Sequence, residues 1–353
     1  MRSVALFLFS LWFVLPVRAE QAGTGLQISV AGDTIGQFGT EGPEGATNRI
    51  NVREAEFLFY APVDHLFDAQ LSFAAHNEAG FFVAELHELF VETTRIVPRS
   101  RIRLGQYFLQ FGRLNQIHRH DWAFISTPKV HRDFFDEEAL LDTGLQYTYL
   151  LPTSFFLEFT AGITNGWTYG HTHTAGAKPV TPLHYARLAT YTDLPWDGGL
   201  QAGLNYVGRK DNGGTSTSLY GLDLVAKWRE LRNFKWLFQS EIWYRTTVPA
   251  GGVSSNDFGF YFYPQYYLGS NLSLGARFDY LTRLDQKDAF GAKFANYYFA
   301  VEPTLMWKPS EFTTLRLAYA YRGQSEQGTF VSNDRVVLLQ SVFIIGAHPA
   351  HDF

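Results

Sequence analysis

The sequence predicts an all-β fold: a single transmembrane, antiparallel, up-and-down β-barrel of about 16 strands. Three observations predict it. Most of the chain consists of short runs in which apolar and polar residues alternate, as in strands with two different faces. Aromatic residues make up 17% of the chain, and cysteine is absent. The longer connections fall mostly after odd-numbered strands, as expected when one end of a barrel carries short turns and the other carries loops.

The alternation is clearest from 271 to 283, where aromatic and aliphatic residues form one face and polar residues the other. The apolar face contains Leu272, Leu274, Ala276, Phe278 and Tyr280, and the polar face contains Ser273, Gly275, Arg277 and Asp279. Runs 154–163 and 314–322 repeat the pattern. A soluble sandwich also alternates, but charges inside and aromatics outside, in strand after strand, are typical of a membrane barrel.

Sixteen strands are predicted, with an even count as in bacterial outer-membrane barrels. Two features do not fit a regular barrel. Pro264 and Pro303 fall inside strands of a sheet that has no edge, and Glu54, Glu56, Glu85 and Glu88 cannot all be assigned to one face. The predicted strands are 25–33, 50–61, 65–77, 80–93, 100–109, 142–151, 154–165, 183–193, 199–209, 216–229, 234–247, 257–268, 271–283, 294–308, 312–323 and 334–346.

The N-terminal segment predicts export. Arg2 precedes a mostly apolar stretch at 4–17, and Ala19 ends a small-residue cleavage site, so residues 1–19 are predicted to be a signal peptide and 20–353 the barrel domain. A terminal aromatic, Phe353, resembles the signal that the barrel-assembly machinery recognises. The predicted location is therefore the outer membrane of a Gram-negative bacterium, with membrane lipid as a partner. The formal net charge of −5 argues against nucleic acid as a partner.

The sixteen-strand plan resembles trimeric and monomeric porins. Segments 64–73 (DHLFDAQLSF) and 104–113 (LGQYFLQFGR) are similar to parts of the phosphate-selective porin O/P family. That resemblance implies an arginine-lined throat that passes anions, and a homotrimer is one assembly it implies. The histidine-rich segments 118–122 (HRHDW) and 347–351 (AHPAH) instead resemble a group of uncharacterised outer-membrane barrels associated with zinc supply.

The longest connection, 110–141, is predicted to be the third outer loop and to fold into the lumen. Its aromatic residues would pin it to the wall, and its charges would form an eyelet with basic wall residues, since rings of charge set ion selectivity. The alternative is a loop that caps the outside, with solvated arginines in the lumen. The candidate pore and selectivity residues are Arg103, Arg113, Asp136, Glu137, Glu138, Arg277 and Arg316.

Histidines concentrate in and just past two adjacent outer loops, and imidazole is a common ligand of Zn and Cu. With Asp121 or Asp133 they could form a divalent metal site, or they could be polar loop residues without a metal. The candidate ligands are His118, His120, His131, His171 and His173. The sequence predicts no cofactor unless these histidines bind Zn.

Passive diffusion of small hydrophilic solutes or ions through a water-filled porin is the predicted function. The alternative is an outer-membrane barrel that binds or takes up a Zn-type metal through its outer-loop histidines. An enzyme is not predicted, because the chain contains neither a Gly-x-Ser-x-Gly elbow nor a His-Glu-x-x-His motif.

Overall fold

The computed structural model describes residues 25–40, 48–78, 81–166, 181–230, 233–287, 290–291 and 293–346. The predicted signal peptide, His171, His173 and Phe353 lie outside these residues. The described residues form a closed barrel of sixteen antiparallel strands, in which β1 pairs with β16. The predicted fold class is confirmed.

Every strand pairs with its neighbours in the chain, as an up-and-down barrel requires. The strands are β1 (Gln27–Gly39), β2 (Arg49–Pro62), β3 (Asp68–Glu78), β4 (Phe81–Thr93), β5 (Ser100–Phe108), β6 (Leu141–Leu150), β7 (Phe156–Thr164), β8 (Thr181–Leu194), β9 (Gly198–Lys210), β10 (Ser216–Glu230), β11 (Asn233–Val248), β12 (Ser255–Tyr267), β13 (Leu272–Leu284), β14 (Asn296–Ser310), β15 (Thr313–Glu326) and β16 (Thr329–Gly346). Helix α1 (Lys129–Phe135) and two short 3-10 helices, Leu114–Gln116 and Arg119–Asp121, lie between β5 and β6. Among the described residues, no helix has the length and apolar character needed to cross a membrane.

The largest boundary errors lie at the seam between the first and last strands. β1 continues to Gly39 and β16 begins at Thr329, whereas the alternation predicted an end at 33 and a start at 334. Glycine and threonine in β1 weaken the apolar pattern there. Gly39 fits because the strands approach closely: a Cβ on it would lie 2.0 Å from the carbonyl oxygen of Arg335.

The two faces of the wall have the predicted character. In β13, Leu274 is 48% exposed on the outer face, whereas Arg277 is 2% exposed on the inner face. β15 repeats the arrangement, with Leu317 and Tyr319 exposed and Arg316 buried. Apolar side chains thus face outwards and charged side chains face the interior, as a membrane-spanning barrel requires.

Two β-bulges explain the glutamates that could not be assigned to a face. The pairing of β3 with β4 skips His87, since Ser72 pairs with Glu88 and Phe73 pairs with Leu86. A bulge adds one residue to one of two paired strands, so two consecutive residues of that strand can face the same side of the sheet. His87 and Glu88 are accordingly both buried in the interior.

A second bulge lies in β2 at Arg53, where Asp33 pairs with Glu54 and Thr34 pairs with Val52. The Arg53 guanidinium donates hydrogen bonds to the carboxylate of Asp33 in β1. Arg53 and the following Glu54 are therefore both directed to the interior, so this wall sector concentrates charge.

Pro264 and Pro303 each lie at a gap in the pairing of their strand with one of its two neighbours. The pairing of β12 with β13 omits Tyr263 and Pro264, and the pairing of β14 with β15 omits Glu302 and Pro303. A proline has no N–H to donate to a ladder, so such a gap removes the conflict. The buried neighbours Tyr263 and Glu302 both contact the segment between β5 and β6.

The main hydrophobic cluster joins that segment, residues 109–140, to the wall. We refer to it as the β5–β6 connection. Aromatic rings from both partners are fully buried in the cluster. Members from the connection include Phe111, Trp122, Phe124, Phe134 and Phe135, and members from the wall include Tyr107, Tyr185, Trp243, Tyr261 and Tyr263.

Candidate functional site

The backbone of the β5–β6 connection is held by side chains from several strands. Glu241 of β11 accepts hydrogen bonds from the backbone N–H groups of Arg113 and Leu114, at 3.1 and 2.7 Å. Asn205 of β9 accepts one from the N–H of Gly112 at 2.8 Å. Buried acceptors thus satisfy consecutive backbone donors, which fixes the path of the chain where no ladder exists.

Arg277 of β13 provides the most extensive attachment. Its Nη2 donates to Ser126 Oγ at 2.8 Å and to Glu302 of β14 at 3.2 Å, and its Nη1 donates to the carbonyl oxygen of Ser126. Its Nε donates to Asp279 at 2.9 Å. The guanidinium also lies over the ring of Phe124, 4.7 Å from its centroid. Arg277 was predicted as a pore residue, and here it joins the wall to the connection.

The wall supplies the acids that pair with the predicted arginines. Arg103 pairs with Glu92 at 2.9 Å, and Arg277 pairs with Asp279 and Glu302. Arg316 donates to the amide oxygen of Gln340 at 2.7 Å. The sequence had instead placed Asp136, Glu137 and Glu138 opposite these arginines.

The three predicted acids lie just after α1, and each has contacts other than the wall arginines. Glu137 pairs with Arg119 of the connection at 3.1 Å. Glu138 is buried, and its carboxylate lies close to His76 and His87. Asp136 has a φ of 81° and accepts a hydrogen bond from the N–H of Glu137. The expected pairing of these acids with the wall arginines stays a prediction, whereas the ion pairs described above join Arg103 and Arg277 to acids of the wall.

Two cavities lie at opposite ends of the same wall sector, formed by β10 to β15. The basic cavity, of about 160 Å³, lies towards the short turns. Its described lining includes Arg113, Lys227, Lys308 and Arg316 together with the acid Asp121. The outer-end cavity, of about 280 Å³, lies at the opposite end of these strands. Its charged lining residues are Lys129, Asp133, Arg245, Asp257 and Arg283.

The two cavities are separated along the strands by one layer of contacts. In this layer Ser126 bonds to Arg277 and Glu302, and the ring of Phe124 packs against Tyr261 and Tyr263 at 5.6 and 5.3 Å. Tyr263 also donates a hydrogen bond to the carbonyl oxygen of Ala123 at 3.0 Å. Residues of both the connection and the wall therefore lie between the two cavities.

A second cluster of charged groups lies against β2, β3 and β4. We name it the His–Glu cluster; its members are Glu54, Glu56, His76, His87, Glu88, His118, His120 and Glu138. Glu56 Oε1 lies 3.0 Å from His118 Nδ1 and 3.5 Å from His87 Nδ1, and Glu56 Oε2 lies 3.4 Å from His120 Nδ1. The structure thus brings together two of the predicted histidines, His118 and His120, around a glutamate of the wall.

His131 does not join this cluster. Its Nε2 donates to the carbonyl oxygen of Glu138 at 2.9 Å, and its ring packs edge-on against Trp122 at 5.5 Å. The side chain is 1% exposed within α1. Asp133, the other acid considered for a metal site, pairs with Lys129 at 3.0 Å. The prediction of His131 as a ligand is not supported by its position, because an apolar helix face holds the ring.

The sequence model of the family described as "Putative beta-barrel porin-2, OmpL-like" matches residues 134–348, more than half of the chain. The chain belongs to this family. An uncharacterized protein of Aquifex aeolicus (strain VF5) is 27% identical over 344 residues, which cover 86% of this chain and 70% of that protein.

Solved structures of outer-membrane proteins have the same fold as this porin-2 family member. The anion-selective porin from Comamonas acidovorans superposes with a TM-score of 0.63 at 11% identity, covering 91% of this chain and 99% of that one. The outer membrane channel DcaP of Acinetobacter baumannii gives 0.62 at 12% identity, covering 91% and 96%. The trimer form of in-vitro folded OmpT of Vibrio cholerae gives 0.59 at 10% identity, covering 91% and 99%. The porin class is confirmed, whereas the resemblance to the phosphate-selective porin O/P family is not.

Electrostatics differ among the three histidines of the connection in this porin-2 family member. Burial lowers the pKa of His118, but the carboxylates of Glu56 and Glu88 outweigh it and hold the pKa well above its usual value. Burial also lowers the pKa of His120, but the carboxylate of Asp121 outweighs it and raises the pKa to about 9. Burial lowers the pKa of His131 to about 4, since Glu138 supplies it only a carbonyl oxygen at close range. At neutral pH, and without a bound metal ion, His131 is therefore uncharged, whereas His118 and His120 are protonated.

Sequence reasoning missed the wall half of the His–Glu cluster. Glu54, Glu56, His76 and His87 lie in β2, β3 and β4, and the sequence analysis named only loop histidines. One signal was present: glutamates in apolar strands that fitted neither face. A charged side chain on the lipid face of a barrel is costly, so glutamates that fitted neither face indicated a local break in the alternation and could have been joined to the histidines.

Proposed function

We propose that this chain is an outer-membrane porin through which small hydrophilic solutes diffuse passively, with a preference for anions. Membership of a porin family and the closed sixteen-strand barrel support the class of function. A barrel of this size has room for an aqueous channel. The observation that carries the proposal is the pair of charged interior cavities at opposite ends of one wall sector.

The β5–β6 connection is the constriction loop in this proposal. Its contacts reach Arg53 of β2, Asn205 of β9, Glu241 of β11 and Arg277 of β13, which are distributed around the ring. Such contacts support a loop that is folded into the lumen and held across it. The layer at Phe124 and Ser126 is then the narrowest part of the route between the two cavities.

The preference for anions follows from the charges along that route. Four basic side chains and the single acid Asp121 are among the described residues that line the basic cavity. A cavity lined by one sign of charge raises the local concentration of ions of the opposite sign. The fold shared with an anion-selective porin is consistent with this, although a shared fold alone does not transfer selectivity.

Planar-bilayer recording of the purified, folded protein tests the proposal. We expect stepwise conductance, and in a KCl gradient a reversal potential whose sign shows anion selectivity. The double variant Lys227→Gln/Lys308→Gln should move the reversal potential towards zero, and Lys210→Gln, an exposed lysine outside the cavity, should not. Absence of steps would refute the channel, and cation selectivity would refute the anion preference. Phosphate belongs among the anions compared, because segments 64–73 and 104–113 resemble phosphate-selective porins.

Outer-membrane location and a homotrimer are part of the same proposal. The OmpT neighbour has a trimer form, and an apolar groove of the outer wall near Gly36, Ile50 and Leu339 offers a surface that lipid or a second copy could cover. Membrane fractionation tests the location. Chemical cross-linking of the native membrane tests the assembly, and a monomer under those conditions would contradict the trimer. The proposal includes no catalytic role.

A further inference from the structure

We propose that the His–Glu cluster is a binding site for a Zn-type divalent transition-metal ion, with Glu56, His87 and His118 as its principal ligands. The ion would join the β5–β6 connection to the wall at β2 and β4. This proposal concerns a resident ion and is independent of the channel function proposed above.

The first argument is convergence from three separate parts of the chain. Glu56 comes from β2, His87 from β4 and His118 from the connection. One ligand atom from each of the three lies within 4.8 Å of the others, and all three side chains are buried. A second set with the same spacing, Glu54, Glu56 and His120, shares Glu56 with the first.

The second argument is the spacing of the ligand atoms. Glu56 Oε1 is 3.0 Å from His118 Nδ1 and 3.5 Å from His87 Nδ1. Atoms that each lie 2.0–2.1 Å from a tetrahedral zinc ion are roughly 3.3 Å from one another. The two separations from Glu56 therefore match those of ligands around one ion, and the ligand atoms of His87 and His118 lie within 4.8 Å of each other.

The third argument is the orientation of Glu56. Neither of its carboxylate oxygens accepts a hydrogen bond of normal geometry, although imidazole nitrogens lie within 3.5 Å of both. These contacts are short but lie off the line that a hydrogen bond requires. Side chains that point at a common centre, rather than at one another, produce this arrangement. The Oε1 atom of Glu54 is likewise buried without a hydrogen-bond donor.

Charge supplies the fourth argument. Glu54, Glu56 and Glu88 are 3, 3 and 4% exposed. Burying carboxylates is costly unless cations compensate them or a metal is coordinated. The imidazoles of His87, His118 and His120 lie within 3.5 Å of the Glu56 carboxylate. A divalent ion compensates two carboxylate charges at once, and it binds the imidazole lone pairs by displacing the protons that the rings carry without it.

His76 acts as a positioning residue for His87. Its Nε2 lies 2.8 Å from Nε2 of His87. When Nδ1 of His87 binds the ion, its Nε2 carries the hydrogen and donates it to His76. Ligating histidines commonly donate their second N–H to a neighbour in this way, which fixes the ring orientation and the tautomer.

The donor set selects the class of ion. Two imidazole nitrogens with a carboxylate oxygen, and no sulfur, suit Zn²⁺ and its neighbours Co²⁺, Ni²⁺ and Cu²⁺. Ca²⁺ and Mg²⁺ prefer oxygen-only sites. Zn²⁺ is the ion to test first, and Co²⁺ is a useful spectroscopic substitute because its visible spectrum reports coordination geometry.

Zinc titration of the full-length, tag-free barrel, after treatment with EDTA, tests the proposal by isothermal calorimetry. We expect one saturable site per chain. His118→Gln and His87→Gln should each weaken zinc binding by at least about 100-fold, more than the loss of an outer-shell partner. His65→Gln is the matched control, because His65 is exposed in the turn between β2 and β3.

Two further measurements keep the outcome decisive. Heat-modifiable migration must be unchanged in the variants, so that a lost site is not lost folding; if His118→Gln does not fold, Glu56→Gln takes its place. The Co²⁺-loaded protein should have the visible spectrum of a four-coordinate site, and His118→Gln should lose it. Non-saturable binding, or equal affinity in wild type and His118→Gln, would overturn the proposal. Bilayer conductance is measured separately, so failure here leaves the channel proposal unaffected.

Discussion

Arg277 of β13 donates to both the hydroxyl and the carbonyl oxygen of Ser126, and this pair fastens the middle of the β5–β6 connection to the wall. The same guanidinium compensates two buried acids, Asp279 and Glu302. One side chain therefore both neutralises the wall and holds the connection, so its removal should affect stability and permeation together.

We expect Arg277→Gln to destabilise the barrel. The substitution leaves Asp279 and Glu302 buried without their cation, which typically costs about 3–5 kcal/mol. Urea unfolding of the detergent-solubilised protein, followed by loss of heat-modifiable migration, measures the change. Arg335→Gln is the control, because Arg335 is exposed. Equal unfolding midpoints for the two variants would show that the buried acids do not depend on Arg277.

Phe124→Ala should enlarge the passage between the two cavities. The ring is fully buried between Tyr261 and Tyr263. Its removal should raise the single-channel conductance, at a packing cost of about 3–5 kcal/mol. Phe262→Ala removes the same side chain from the outer face of β12 and should leave conductance unchanged. An unchanged conductance in Phe124→Ala would place the narrowest point elsewhere.

Glu241→Ala should loosen the first turn of the β5–β6 connection. Glu241 accepts hydrogen bonds from the N–H groups of Arg113 and Leu114 and from Nε1 of Trp243. Without it these donors lose their acceptor, and amide hydrogen exchange at 113 and 114 should accelerate. Glu230→Ala, at the exposed end of β10, is the control. Retained protection of both amides would show that packing alone holds the turn.

His131 should make the protein less stable in mild acid. Its pKa in the folded protein is about 4, below the usual 6.5. Above pH 6.5 the ring is neutral in both states and has no effect. As the pH falls from 6.5 to 4, the unfolded chain takes up the proton and the folded one does not, so up to about 3 kcal/mol of stability is lost.

His131→Gln isolates this effect, because glutamine can donate a hydrogen bond to the carbonyl oxygen of Glu138 and does not titrate. The difference in unfolding free energy between wild type and variant should change between pH 7 and pH 4.5, with wild type losing more. A difference that does not depend on pH would mean that His131 takes up its proton equally well in both states.

The strands could be predicted because alternation is a local property. Inner and outer residues of β13 and β15 follow from a period of two, and Arg277 and Arg316 were placed correctly on the inner face. Their partners could not be predicted, since the acid beside an arginine depends on the register of the neighbouring strand. Arg277 meets Glu302 only because β13 and β14 pair those two positions.

The His–Glu cluster was predicted only in part, because its wall residues also depend on how neighbouring strands pair. His118 and His120 stood out as a spaced pair in a long connection. Their partners Glu56 and His87 did not stand out. The bulge at His87 moves one residue to the opposite face, and no local sequence pattern predicts a bulge there. His131 resembled the other loop histidines in sequence, and only the packing of α1 distinguishes it.

The pairing of β1 with β16 has a consequence for how the chain is assembled. That seam, which includes the bonds from Gln340 to Asp33, can form only after the last strand has been made, whereas the β5–β6 connection is made after the fifth. The connection bonds to Arg53 in β2 and to Arg277 and Glu302 in β13 and β14. It therefore links strands on both sides of the seam and stabilises the closed cylinder there.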